Sequence, residues 1–206
     1  TDGDLTDTQV ITVTIIAVND APVAGVGINE TTPEGASVSI ALSGTDIDGD
    51  ILTFTSSVPP ENGSVDISGS YATYTPNDYF NGDDIFTFTV SDGELTDDAT
   101  VTVNVTEVND APVLATLLDV SFDEGGTETL ALFASDIDED DLTYSITDGT
   151  DITATLDETL ETITFSADEN YNGSENFTIT VTDGDLTDTQ VITVTIIAVN
   201  DAPVAG

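Results

Sequence analysis

Residues 84–106 read DIFTFTVSDGELTDDATVTVNVT. Phe86, Phe88 and Val90 alternate with Thr87 and Thr89, while Val101, Val103 and Val105 alternate with Thr100, Thr102 and Asn104. Each run therefore presents one apolar face at the period of two that a β-strand requires. Asp92-Gly93 between them is a turn signal. Working outward, Val38, Ile40 and Leu42 alternate with Ser39 and Ala41, and Asp48-Gly49, Asn62-Gly63 and Asn81-Gly82 punctuate the runs. No segment shows a helical period. About seven short strands in ~90 residues predicts an all-β, seven-stranded Ig-like β-sandwich.

The pattern repeats. VNDAPV begins at Val18, Val108 and Val199, giving steps of 90 and 91 residues. Asp46-Ile47-Asp48 returns as Asp136-Ile137-Asp138, Glu34-Gly35 as Glu124-Gly125, and Asp92-Gly93 as Asp183-Gly184. The expected organisation is a linear array: 1–20 as the C-terminal hairpin of a preceding repeat, sandwiches over 21–110 and 111–201, and 202–206 opening the next. Residues 1–25 and 182–206 are the same string, whereas 2–23 and 92–113 agree at only 13 of 22 positions. The unit that repeats faithfully is thus 181 residues, two unlike sandwiches, as in a window on a longer array.

Composition restricts the chemistry. The 206 residues include 41 Asp and Glu and no Lys, Arg, His, Cys, Met or Trp, for a net charge of -41. A chain without cations can neither clamp phosphate, release counterions from nucleic acid, nor seek an anionic membrane surface. Imidazole, thiolate, amine and guanidinium catalysis are excluded as well. No apolar stretch approaches the ~20 residues that span a bilayer, and no signal peptide is read. Hydrophobic residues make up 38%, enough for a packed core rather than disorder. Two carboxylates ~6 Å apart repel by roughly 3 kcal/mol at an effective dielectric of ~20, so something outside the chain must offset the charge. Asp outnumbers Glu 29 to 12, and clustered hard oxygens of this kind suit a divalent cation such as calcium. A solvated acidic surface is the plainer alternative.

Glu34 after Pro33, Asp46-x-Asp48 followed by Leu52-Thr53-Phe54, Asp92-Gly93 after a Phe-rich strand, and the linker Val108-Asn109-Asp110-Ala111-Pro112 resemble the calcium-site motifs of cadherins. The match is closer to the cadherin-like repeats of large bacterial surface adhesins. That resemblance implies Ca²⁺ bound between domains. Carried to the central junction, it implies ligands from Glu34 of the first domain, Asn109 and Asp110 of the linker, and Asp136, Asp138 and Asp183 of the second. Main-chain carbonyls at Val108 or Ala111 would add to these, and Asp138 would bridge two ions. Asn19, Asp20, Asp46, Asp48 and Asp92 correspond to the preceding junction, and Glu124, Asn200 and Asp201 to the following one. The linker reads Asn-Asp-Ala where cadherins have Asn-Asp-Asn, and the Asp-Arg-Glu motif is missing, with only Asp78 and Glu169 near its place. Asp50 and Asp140 extend the runs to Asp-x-Asp-x-Asp, but the Gly and distal Glu of an EF-hand loop are absent.

The expected function is a calcium-rigidified extender in an extracellular, cell-surface or secreted adhesin or filament, its partners calcium and neighbouring repeats of the same or identical chains. The alternative is an adhesion module that itself grips a glycan or protein, although aromatic anchors are only 6% of the chain. An enzyme would need a carboxylate pair with pKa values pushed apart, for which repeated solvent-facing acids are a poor setting, so no catalysis is expected.

Overall fold

The computed structural model describes residue 3 and residues 7–200. The chain divides into two compact units, Thr1–Val108 and Asn109–Gly206. In the first, the strands are β1 (Val23–Ala24), β2 (Ile28–Pro33), β3 (Val38–Ala41), β4 (Gly44–Thr45), β5 (Thr53–Val58), β6 (Gly63–Ser68), β7 (Tyr71–Pro76), β8 (Gly82–Ser91) and β9 (Thr96–Thr106). One sheet has the order β2-β9-β8-β5, the other β3-β7-β6, and β1 pairs with β4. The second unit repeats this scheme with β10 (Val113–Leu114), β11 (Val120–Asp123), β12 (Thr127–Ala131), β13 (Ala134–Ser135), β14 (Thr143–Ile146), β15 (Ile152–Asp157), β16 (Thr162–Ala167), β17 (Gly173–Thr182) and β18 (Thr187–Ile197). Its sheets run β11-β18-β17-β14 and β12-β16-β15, with β10 on β13. Each unit is an all-β Ig-like sandwich, and no helix occurs among the described residues.

Alternation decides which face goes in. Phe86, Phe88, Val90, Val101, Val103 and Val105 from β8 and β9 meet Ile40, Ala72 and Tyr74 from β3 and β7 in one buried cluster. Phe165, Phe177, Ile179, Ile192 and Val194 lie in the matching core of the second unit. Burying each large side chain is worth roughly 1.5–3 kcal/mol, so the two inner faces supply most of the drive to fold. The sequence suggested about seven strands, whereas each unit has nine elements, because the first two strands are each divided: β3 pairs with β7 but β4 with β1, and β12 with β16 but β13 with β10. β1 joins β4, the chain turns through Gly27 at φ +73°, and β2 then runs parallel to β9 from Ile28↔Val101 to Pro33↔Thr106. A left-handed residue at the switch suits glycine, which has no Cβ to clash.

Of the segment expected as the C-terminal hairpin of a preceding repeat, residue 3 and residues 7–20 are described. Residues 7–20 have no strand, although 6–16 are identical in sequence to β18. β18 is held by antiparallel pairing to β17 and parallel pairing to β11. Propensity without a sheet to join does not sustain a strand in water.

One buried acid ties the first sandwich together. Inward alternation along β8 puts Asp84 in the core at 3% exposure. Its Oδ1 accepts from the Glu61 and Ile85 amides (3.1 and 2.9 Å), and its Oδ2 from the Asn62 amide and the Tyr74 hydroxyl (both 2.9 Å). Burial, and then this bond to Asp84, push the Tyr74 hydroxyl well above the ordinary phenol range. In the second unit Glu175 holds the corresponding loop by accepting from the Thr150 and Asp151 amides at 2.8 and 2.7 Å.

Candidate metal centres

The acidic loops follow directly on the short strands β4 and β13. Asp46 folds the first loop around itself: its Oδ1 accepts from the amides of Asp48 (2.9 Å), Gly49 (2.9 Å) and Asp50 (3.2 Å). Such an Asx turn needs only a short acceptor side chain and a residue tolerant of positive φ, here Gly49 at +83°. Oxygens of Asp46, Asp48 and Asp50 come within 4.8 Å of one another. In the second unit Asp136 Oδ1 accepts from the Asp138 amide at 2.8 Å, and Asp136, Asp138 and Asp140 form the equivalent cluster. Glu139 takes the place of Gly49 and holds φ +63°, which costs roughly 1–2 kcal/mol for a residue with a Cβ.

The incoming chain is stitched to these loops. Asp48 Oδ2 accepts from the Asp20 amide at 2.8 Å, and Asn19 Nδ2 donates to Asp92 Oδ2 at 2.9 Å. The same pair of contacts recurs in the second unit, where Asp138 Oδ2 accepts from the Asp110 amide at 2.7 Å and Asn109 Nδ2 donates to Asp183 Oδ2 at 3.0 Å. Asn19, Asp48, Asp50 and Asp92, with Ala17, Val18 and Glu94, line an open pocket. Asn19, Asp20, Asp46, Asp48 and Asp92 are therefore brought together, as are Asn109, Asp110, Asp136, Asp138 and Asp183.

Glu34 and Glu124 lie elsewhere in their units. Glu34 Oε1 accepts from the Val108 amide at 2.6 Å, just past the end of β9. Asp92, by contrast, precedes the start of β9, and the eleven residues of that strand separate the two. At ~3.3 Å per residue the separation is roughly 35 Å, so Glu34 holds the outgoing end of the sandwich and the acidic loop the incoming end. Glu124 Oε1 likewise accepts from the Val199 amide at 2.7 Å, and Asn172 Nδ2 reaches its Oε2 at 3.5 Å. Asn200 follows Val199 in that outgoing segment, and Asp201 lies outside the described residues.

Two features distinguish the incoming ends. Asp46 Oδ2 and Asp136 Oδ2 are buried and have no hydrogen-bond partner. A buried carboxylate oxygen left unpaired costs several kcal/mol unless a cation compensates it, and this chain carries no Lys, Arg or His. The donor set is all hard oxygen, which fits a calcium ion. Charge crowding points the same way: lost hydration, then the charges of Asp136, Asp138, Asp183 and Asp141, raise the Asp140 carboxyl above the ordinary range. Asp183 is held below it, chiefly by the Leu186 amide and further by Asn109, and Asp92 is held low by the Leu95 and Glu94 amides and Asn19.

Sequence reasoning passed over Asp50 and Asp140 as ligands because EF-hand features were missing, although their alternation with Asp48 and Asp138 was visible. It also missed Asp97 and Asp188, which accept from the Ala24 and Leu114 amides at 2.9 Å and fix the first strand of each unit. Their 91-residue step was the signal. In calcium-free buffer, carboxyl-carbon NMR titration should place Asp92 and Asp183 below the ordinary Asp value and Asp140 above it. The sign follows: whatever Asp92 and Asp183 add to stability is present above their unfolded value and lost as pH falls through the depressed one, whereas the penalty at Asp140 is relieved on acidification. Normal titration of all three would contradict the hydrogen-bonded loops.

Residues 19–104 and 109–195 each match the bacterial Ig domain family Big_9. The chain belongs to the bacterial Ig domain family. No curated protein matches it. Among solved structures, Drosophila N-cadherin EC1-4 is 14% identical over 88% of this chain and 50% of its own, with a TM-score of 0.59. Human protocadherin-24 EC1-2 is 18% identical over 88% of this chain and all of its own, with a TM-score of 0.57. An endo-fucoidan hydrolase of glycoside hydrolase family 107 is 22% identical at a TM-score of 0.42, and the chain spans 29% of its length. At such identities the cadherin likeness concerns the fold, and it shows that these bacterial Ig domains share the cadherin-like form of the sandwich.

Proposed function

We propose that these bacterial Ig domains form a calcium-rigidified extender of a long extracellular adhesin or filament, without catalytic activity, taking Ca²⁺ where successive domains meet. The observation that carries this reading is the buried, unpaired Oδ2 of Asp46 and of Asp136, repeated at equivalent places among acids in a chain with no cation. Asn19, Asp20, Asp46, Asp48, Asp50 and Asp92 would hold the ion at the incoming end of the first domain, and Asn109, Asp110, Asp136, Asp138, Asp140 and Asp183 at that of the second. Glu34 would contribute from the outgoing end of the first domain, and Glu124, Asn200 and Asp201 from that of the second. The ion supplies the positive charge these loops lack, while the residues themselves orient the oxygens: Asp46 and Asp136 by their turns, Asp48 and Asp138 by gripping the linker amides. Extracellular modules of this kind bind with dissociation constants of ~10⁻⁴ to 10⁻³ M, matched to the calcium outside a cell.

Calorimetric titration of two variants tests it. Asp138→Asn removes a charge from the cluster and weakens calcium binding by about tenfold, equivalent to ~1.4 kcal/mol. Asp66→Asn, on the exposed edge strand β6, leaves binding unchanged. Equal affinities in the two variants, or no heat of binding in the unmodified chain, would defeat the proposal.

A further inference from the structure

We propose that β1 of the first unit is a strap that lifts reversibly from an otherwise closed sandwich, while its counterpart β10 in the second unit stays clasped. In backbone outline the two straps match. β1 pairs with β4, and β10 with β13, over two residues each. The Ala24 amide donates to Asp97 Oδ2 and the Leu114 amide to Asp188 Oδ2, both at 2.9 Å. The Gly25 amide donates to the Ser43 carbonyl and the Ala115 amide to the Phe133 carbonyl, both at 2.8 Å. Those bonds alone would hold the two straps equally.

Their side chains differ. β1 buries the methyl group of Ala24 where β10 buries the larger Leu114, and three residues on Leu117 packs against the second core where the first unit has Gly27. Apolar stabilisation scales with the area removed from water, so the second strap is the better anchored. Gly25 and Gly27 also leave the first strap more freedom to lose on docking than Ala115 and Leu117 leave the second. Gln190 then spans the second strap. It accepts from the Leu117 amide at 2.9 Å and donates to the carbonyls of Leu114 and Ala115 at 2.8 and 3.0 Å. Ala99 stands at that step in the first unit, and its methyl group can make none of these bonds. Lifting β1 leaves the rest of its sandwich paired, because the ladder of β2 on β9 begins at Ile28↔Val101, directly after Gly27, and runs for six residues against four for β11 on β18. The lifted state bares an apolar slot at Gly44, where a Cβ would lie 3.3 Å from the Val23 carbonyl oxygen and 3.1–3.2 Å from the side chains of Val90 and Leu52.

Amide hydrogen exchange on the full chain in calcium-free buffer reads the difference, since the matched amides differ in strap and not in bond length. Corrected for intrinsic rates, Ala24 and Gly25 should exchange about a hundredfold faster than Leu114 and Ala115, and about a hundredfold faster than the slow amides of β8 and β9, which makes the opening local. Gln190→Ala should speed Leu114 and Ala115 about tenfold while the amides of β15 and β16 keep their rates. Leu117→Ala, which removes packing but leaves the Gln190 side chain in place, should act in the same direction. Equal protection of the matched amides would overturn the proposal. So would Ala24 and Gly25 amides as slow as those of β8 and β9, Leu114 and Ala115 rates that neither variant changes, or a Gln190→Ala chain in which β15 and β16 speed up by the same factor.

Discussion

Asp84→Ala is expected to destabilise the first unit by roughly 3–5 kcal/mol and to leave the second unchanged, because the change strands the Glu61, Asn62 and Ile85 amides and the Tyr74 hydroxyl around an emptied core position. Tyr74→Phe removes one of those donors and keeps the ring in its buried place, so its cost should be nearer 1–2 kcal/mol. Denaturant unfolding of the full chain, with the two units resolved as separate transitions, checks both. A loss below ~1 kcal/mol for Asp84→Ala would mean that the carboxylate contributes little beyond filling space.

Calcium removal is expected to have a smaller effect per site, repeated at each site. For one site with a dissociation constant of ~10⁻⁴ M in ~2 mM calcium, binding to the folded state alone adds about 1.8 kcal/mol. In a domain of this size each kcal/mol moves the melting temperature by about 4–8 °C, so chelation should lower it by roughly 7–14 °C for every site lost. Magnesium should replace calcium poorly, since it demands a tight octahedral shell that a loose cluster of Asp side chains does not provide. An unchanged melting temperature in chelator would remove the calcium reading. The sandwich fold would stand without it.

Much of the architecture was legible because two independent signals agreed. The Phe86/Phe88/Val90 and Val101/Val103/Val105 alternations mark inner faces, and the 90-residue step of VNDAPV marks the domains. What escaped reading depends on distant partners. β1 and β4 are two residues long and have no period to detect. Residues 7–16 and 188–197 share every letter, so no local rule could tell that only the second run is a strand among the described residues. In the acidic loops the side chains were visible in the repeats, and the structure joins Asn19 to Asp92 and Asn109 to Asp183 by hydrogen bonds. The buried state of Asp46 Oδ2 and Asp136 Oδ2 was not visible, because it depends on how the loop packs beneath them. Asp84 was invisible for a related reason: an acid at an inward position looks like a break in the alternation until the three amides and the hydroxyl that satisfy it are seen.

The parallel pairing of first and last strands matters once the chain is pulled. In each unit the chain reaches β2 or β11 after the short β1 or β10 and departs from the end of β9 or β18, so once the two-residue pair with β4 or β13 yields, tension slides one strand lengthwise along the other. From Ile28↔Val101 to Pro33↔Thr106 the cross-strand hydrogen bonds lie across that motion and resist in shear, all strained together. An antiparallel pair gripped at its open end would instead peel, one bond after the next. A tether made of such units can hold its length against drag and break cooperatively, one sandwich at a time, when the force grows too large.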